Sequence, residues 1–489
     1  MLYRQIAGRY LSNLVRPTIA DKMCLDVLTD YKVAVDKLNS LQSNAHYIEQ
    51  YGKKTKDNQH KFNSVTQTEI FLQKSGVSLE DLDKLSIIHV AGTKGKGTTC
   101  ALSESILRHH GYKTGFFSSP HLLEVRERIR INGYPIEKKD FVNYFWKIYN
   151  ALDANKSHEY DMPLYFGFMT LMAFHVFLDK KVDVAIVEVG IGGEYDCTNI
   201  LRKKDVTAIT SLGIDHTIIL GDTIESIAQN KAGIMRKGTR TFTVPQSDDA
   251  MKVLSEESDK RQSELIVVNS QPDTIGNDVF PQYIFNLNAG LAQAVSEYWM
   301  QKRSNGKIFS KELTKIAMEN CKWPGRFEIR SRNNICYFLD GAHTIDSINV
   351  CNKWFEEKTK SSPKKKVLMF NLTGDRDSGK ILSKLHAQKF DLVAFVPNQS
   401  KNDSKSDNIS ILHTTDKQLI KCKEFMTQWL ELNEEESNTE ETKVFPSVYD
   451  AIEYLENQDG EFNMLVTGSL HLIGAVFGIL DPNLKGTLV

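Results

Sequence analysis

No apolar run in the 489-residue chain approaches the roughly 20 residues that a membrane helix needs, and the most apolar stretch, Leu171 to Leu178, is far too short. We therefore expect no stable membrane insertion. The seven cysteines (Cys24, Cys100, Cys197, Cys321, Cys336, Cys351 and Cys422) are scattered, odd in number and without a C-x-x-C pair. That spacing implies neither a zinc nor a disulfide framework and argues for reduced thiols in an intracellular compartment. An excess of charge of either sign is missing as well. With a net formal charge of −1 the chain lacks a nucleic-acid signature, so any anion it binds must be held by particular side chains. What is present, 41% apolar and 25% charged residues, is the composition of an ordinary soluble globular protein, long enough for two domains.

Acidic residues are absent from the first twenty positions, MLYRQIAGRYLSNLVRPTIA, where Arg4, Arg9 and Arg16 alternate with apolar residues. That is the composition of a mitochondrial transit peptide over residues 1–22. It implies a mitochondrial protein, in the matrix or associated with the inner membrane. An unprocessed basic helix is the alternative, and Met23 offers a second start for a cytosolic form.

From Lys84 onward, β-branched runs (SIIHVAG, KTGFFSS, VDVAIVEVG, VTAITSLG) alternate with helical stretches such as Thr98 to His110. This alternation predicts an α/β fold with a mostly parallel sheet and a ligand site at the carboxyl ends of its strands. ERIRINGYPI reads as a hairpin turning at Asn132-Gly133. After Trp323-Pro324-Gly325 a second series begins, with strand candidates CYFLDG, KVLMFN, DLVAFVP and MLVTGS. We therefore expect one domain over 23–323 and a smaller Rossmann-like domain over 324–489. TKSSPKKK, NQSKNDSKSDN and ELNEEESNTEET are polar and read as surface loops.

The sharpest local signal is Gly92-Thr93-Lys94-Gly95-Lys96-Gly97-Thr98-Thr99, after a strand and before a helix. Glycines let backbone amides approach phosphates, Lys96 adds a point charge, and the hydroxyl of Thr98 or Thr99 can reach a metal. The loop has one glycine more than the G-x-x-x-x-G-K-[ST] pattern, and a loop that merely closes a strand is the bland alternative. Glu188 ends the run Val182 to Val187, which puts a carboxylate at the end of a buried strand. It could simply cap a helix, but Gly190, Gly192 and Gly193 follow at once and permit close ligand approach.

The GTxGKG[ST] fingerprint resembles the Mur-ligase superfamily, specifically its folylpolyglutamate and dihydrofolate synthase branch. FFSSPHL with RERIRING, EVGIGGEYDCTN, SLGIDHTIILGDTIESIAQNKAGI, WPGRFE, DGAHT, FNLTGDRD and VTGSLHLIG follow in the family's order, covering about Leu38 to Gly474. DGAHT, FNLTGDRD and GGEYDCTN look like the eukaryotic type. The resemblance implies a ligase that joins glutamate to a reduced folate through an acyl phosphate, using ATP and Mg²⁺, with room for a monovalent cation, and acting as a monomer, with ATP bound by the domain over 23–323 and the active site in the cleft between the two domains.

Residue by residue, the resemblance carries Ser119, Glu188 and His216 onto magnesium ligands, beside the loop hydroxyl. Asn288, Arg326 and Asp340 fall on nucleotide contacts, His343 near the reacting groups, and Ser469 on a serine implicated with the incoming glutamate. Lys231 matches a lysine that can be carbamylated in relatives. Four of these have a plainer reading: a structural histidine for His216, strand-ending turns for Asp340-Gly341 and Ser469, a solvated helix face for Lys231. Two departures stand out. Glu194 follows EVGIGG where many members have arginine or a small residue, and Asn288 lacks the usual His-Gln before it. Dihydrofolate synthase and a phosphate-loop ATPase switch are the rival functions, along with a catalytically silent folate-binding relative.

Overall fold

A computed structural model describes residues 19–41, 64–158, 161–269, 282–303, 306–374, 376–401, 407, 415–436 and 440–482. The proposed transit peptide therefore lies outside the described residues up to position 18, and a helix begins at Ile19 (Ile19–Ser40).

Two sheets organise the chain. The first contains β1 (Ile87–Ala91), β2 (Thr114–Phe117), β3 (Ile129–Ile131), β4 (Tyr134–Pro135), β5 (Val184–Glu188), β6 (Val206–Ile209), β7 (Arg240–Thr243) and β8 (Glu264–Val267). Its order is β4-β3-β2-β5-β1-β6-β7-β8, parallel from β2 to β8. β1 and β5 are buried along their whole length, as strands covered on both faces must be, and their near-continuous apolar runs follow from that. β3 and β4 form the expected antiparallel hairpin, with Asn132 at φ 52 and Gly133 at φ 83, the positive pair that a type I′ turn requires.

The second sheet contains β9 (Glu328–Arg332), β10 (Ile335–Leu339), β11 (Lys365–Phe370), β12 (Leu392–Phe395), β13 (Glu441–Val444) and β14 (Phe462–Thr467). Its order is β13-β12-β11-β14-β10-β9, with β9 alone antiparallel to its neighbour. Helices cover both faces. Phe168, Met172 and Phe177 sit in one core layer of the first sheet, Leu291, Val295 and Trp299 in the other. Trp354, Phe355 and Trp429 fill one side of the second.

One loop expectation is corrected. ELNEEESNTEET opens inside the helix Thr415–Glu436 and closes in β13. Glutamate and leucine are good helix formers, and Phe425 and Trp429 anchor that helix in the core. β13 is an edge strand, where charged residues are tolerated. Similarly, TKSSPKKK begins at the last residue of the helix Ile345–Thr359 and runs into β11. Most of NQSKNDSKSDN lies outside the described residues. No described helix is long and apolar enough to cross a membrane, and the six described cysteines are free.

Candidate active site

The glycine-rich loop connects β1 to the helix Lys96–His109 and is shaped by close approaches. A Cβ on Gly92 would lie 1.8 Å from Thr210 Oγ1, and one on Gly95 2.2 Å from Asn288 Oδ1, so only glycine fits either position. The amides of Thr93 and Lys94 both donate to Ser211 O, at 3.0 and 3.1 Å. Lys96 Nζ reaches back to Gly92 O at 3.0 Å, and Lys231 Nζ donates to the same carbonyl at 2.8 Å. Thr99 is buried and bonds Asn288 Oδ1 at 3.3 Å, which leaves Thr98 as the hydroxyl of the pair that lines the cleft.

That cleft, about 1850 Å³, collects Thr93 to Thr98, Ser119, Glu188, His216, Asn288, Arg326, Asp340 and His343. Gly92, Thr99, Lys231 and Ser469 are not on its wall. Lys231 is 3% exposed, which overturns the solvated-face reading. Burial, and then the charge of Lys96, lower its pKa to about 7. Ser469 caps the helix Leu470–Leu480, its Oγ accepting from His471 N at 3.1 Å. In this geometry Ser469 is buried and engaged as a helix cap. Glu194 pairs with Arg261 at 2.5 Å and is not on the cleft wall.

Glu188 stands at the end of β5 and accepts from Ser119 N at 3.0 Å. Burial raises its pKa while Lys96 opposes the rise. His216, at φ 53, is held toward the neutral form by burial. Among the described residues no three His, Cys, Asp or Glu side chains gather into a metal cluster. A cation here would rest on one buried carboxylate, hydroxyls and water, the donor set that Mg²⁺ accepts, so the residues present fit it.

The second sheet supplies the opposite wall. Asp340, after β10, accepts from the amides of Phe327 and Ala342, each at 3.0 Å. Burial pushes its pKa to about 6 against the pull of Arg326. His343 Nδ1 lies 2.7 Å from Gly341 O. A carbonyl only accepts, so Nδ1 carries the proton and Nε2 presents a lone pair. Lys94 Nζ, 3.1 Å away, donates to that lone pair and also to Asp215 Oδ2 at 3.2 Å. Arg376, from the loop after β11, lies 3.7 Å from the other Asp215 oxygen. Burial works against the Asp215 carboxylate, yet Lys94, His216 and Arg376 overcome it and hold its pKa at about 2.

Asp215, Arg376, Arg128 and Trp323 are among the wall or near-wall residues that sequence reasoning left unassigned. All four lie inside the quoted motifs GIDH, GDRD, RERIRING and WPGR, so the signal was present without a role attached. Trp323 stands where the chain passes between the sheets. A Cβ on Gly97 would be 2.8 Å from its Cζ2, Arg130 stacks 5.1 Å above its ring, and the ring lines the cleft.

Known proteins resemble this chain in sequence and in fold. The model of the Mur ligase middle domain matches residues 90–302, and that of the dihydrofolate synthetase C-terminal domain matches 326–479. The mitochondrial folylpolyglutamate synthase of Homo sapiens is 37% identical, across 93% of this chain and 92% of its own. That of Candida albicans is 35% identical, across 95% and 98%. Among solved structures, E. coli FolC in complex with DHPP and ADP is 25% identical with a TM-score of 0.67, covering 88% of this chain and 96% of its own. The Mycobacterium tuberculosis folylpolyglutamate synthase, 24% identical over 86% of this chain and 96% of its own, shares the fold with a TM-score of 0.69.

Proposed function

The chain belongs to the folylpolyglutamate synthases, a branch of the Mur ligases, and on that premise we propose how its own residues carry out the family's reaction. It is an ATP-dependent ligase that joins L-glutamate to the γ-carboxylate of folates. A carboxylate resists attack by an amine, so ATP first converts it to an acyl phosphate; the amine of glutamate then attacks and phosphate leaves. The observation that carries the reading is the confrontation across one cleft of the phosphate loop with the Asp340–His343 turn.

Lys96 and the amides of the loop neutralise charge on the transferring phosphoryl group, where such electrostatic help is largest. Asn288, Arg326 and Asp340 hold the nucleotide. Ser119, Glu188, His216 and the Thr98 hydroxyl would hold Mg²⁺, which contributes further positive charge to that group when bound. Lys231 fixes the Gly92 carbonyl and so the shape of the loop; its depressed pKa also makes it the amine that CO₂ would carbamylate. His343 orients Lys94. The division at 323/324, a reduced-folate substrate and a monomeric enzyme complete the proposal. Relatives named as mitochondrial support a mitochondrial location, and initiation at Met23 supplies a cytosolic form.

The test is incubation of the purified protein with ATP, Mg²⁺, labelled glutamate and either tetrahydrofolate or dihydropteroate. Tetrahydrofolate products with more than one added glutamate are expected. Labelling of dihydropteroate alone would assign the enzyme to dihydrofolate synthesis, and ATP hydrolysis without either acceptor would mark a switch.

A further inference from the structure

The ligation leaves one proton unassigned. Free glutamate carries an α-ammonium group at neutral pH, and an ammonium has no lone pair with which to attack an acyl phosphate. Some group in the cleft must take that proton, and the histidine that the motifs suggest is poorly suited. Burial, followed by the charges of Lys94 and Arg376, lowers His343 to about 3. Its lone pair is also already occupied by Lys94.

Lys94 answers the requirement by geometry. Its Nζ is bonded to Cε, and two of its N–H bonds are committed to acceptors that cannot donate in return: Asp215 Oδ2 at 3.2 Å and His343 Nε2 at 3.1 Å. A neutral amine has two N–H bonds and one lone pair. With both N–H bonds fixed, the remaining tetrahedral direction is the lone pair, on a side chain that is 35% exposed and lines the cleft. We propose that Lys94 is the catalytic base of the ligation step, receiving the proton of the incoming α-ammonium through the lone pair that Asp215 and His343 orient.

The step balances. One ammonium proton passes to Lys94 Nζ, the freed nitrogen pair forms the C–N bond, and the C–O bond to phosphate breaks with its electrons leaving on phosphate. The second nitrogen proton departs with the phosphate as the amide forms. Asp215 stabilises the lysine cation so produced. The charged and titratable groups facing Lys94 are Asp215, His343, Lys96 and Arg376. Burial, opposed by Asp215, sets Lys94 at about 8, within reach of an ammonium donor.

This inference rests on the proposed ligase reading, and hydroxylamine separates the two. Hydroxylamine is uncharged at neutral pH and attacks acyl phosphates without a base, yielding a folate hydroxamate. Wild-type protein with ATP, Mg²⁺, folate substrate and hydroxylamine should give hydroxamate; none at all would refute the ligase reading itself. In both Lys94→Met and Lys94→Arg the ratio of glutamate ligation to hydroxamate formation should fall by roughly 10²-fold or more. Arginine keeps the positive charge but does not deprotonate, so ligation retained in Lys94→Arg would reduce Lys94 to a charge and overturn the proposal. Equal loss of both reactions in the two folded variants, with melting temperatures near wild type, would move Lys94 to phosphoryl transfer and also overturn it.

Discussion

Lys231 shows what a single buried lysine costs the fold. Its ammonium is buried beside Lys96 with a carbonyl as its hydrogen-bond partner, and its pKa falls from 10.5 to about 7. A lysine lowered in the folded state destabilises that state wherever it must stay protonated. The penalty is full below about 7 and fades as pH rises toward 10.5, because only the unfolded chain holds the proton in that window. Lys231→Met should therefore raise the melting temperature below the folded value, and the gain should shrink or reverse toward 10.5 as the lost bond to Gly92 O begins to dominate. Ligation should fall by about 10²-fold or more, the scale on which loss of a preorganised donor acts. A melting difference that is constant with pH would show that the buried charge is not its source. This residue also marks a limit of sequence reading. Ile227, Ala228 and Ile234 suggest a buried helix face, but polar Gln229 and Asn230 flank the lysine, and only the fold shows which side it takes.

At the level of elements, the turns after the strands carry the site, and their glycines are under steric constraint. Gly468 follows β14 at φ 99. A Cβ there would lie 2.2 Å from the backbone oxygen of Asn371, while its amide donates to Ala342 O at 2.8 Å. Gly468→Ala should cost ~2–5 kcal/mol, combining left-handed strain with overpacking, and urea unfolding measures it. A loss below the low end would mean that the β10, β11 and β14 turns can separate freely. Elements with strong local patterns were legible in advance: β1, β5, β10, β11, β12, β14 and the Asn132-Gly133 hairpin all follow from apolar runs or turn chemistry. β9 and β13 were not. EIRSR and ETKV have no alternation to read, and they become strands because an open sheet edge pairs with them. The cap formed by Ser469 was not legible for a related reason, since a serine after a strand serves as helix cap or ligand contact with the same local sequence.

For the whole molecule, a chain begun at Met23 loses only four described residues of the helix Ile19–Ser40. The contacts that dock this helix lie further on: Tyr31, Ala34, Val35 and Leu38 are in the core, and the Tyr31 ring meets Phe141 edge-on at 5.2 Å. A Met23-initiated protein should match the full chain in kcat and melt within a few degrees of it. A large drop would show that residues before Met23 belong to the folded enzyme. The joining of two α/β units around one cleft was readable from motif order, because loops from both halves fell at strand ends. The cross-cleft pairing of Lys94 with His343 was not, since they stand 249 residues apart and no local pattern links them.

The placement of Trp323 has a practical optical consequence. Of the chain's five tryptophans, Trp299, Trp354 and Trp429 are sealed in cores, and Trp146 packs among the rings of Phe145 and Tyr149. Trp323 is the tryptophan on the cleft wall, against the phosphate loop and under Arg130. Its indole is thus a built-in fluorophore at the junction of the two sheets. Intrinsic emission should change as a nucleotide analogue is titrated in, and Trp323→Phe should abolish that change while leaving the emission of the other four. Ligand occupancy could then be followed in real time on unlabelled protein, without turnover.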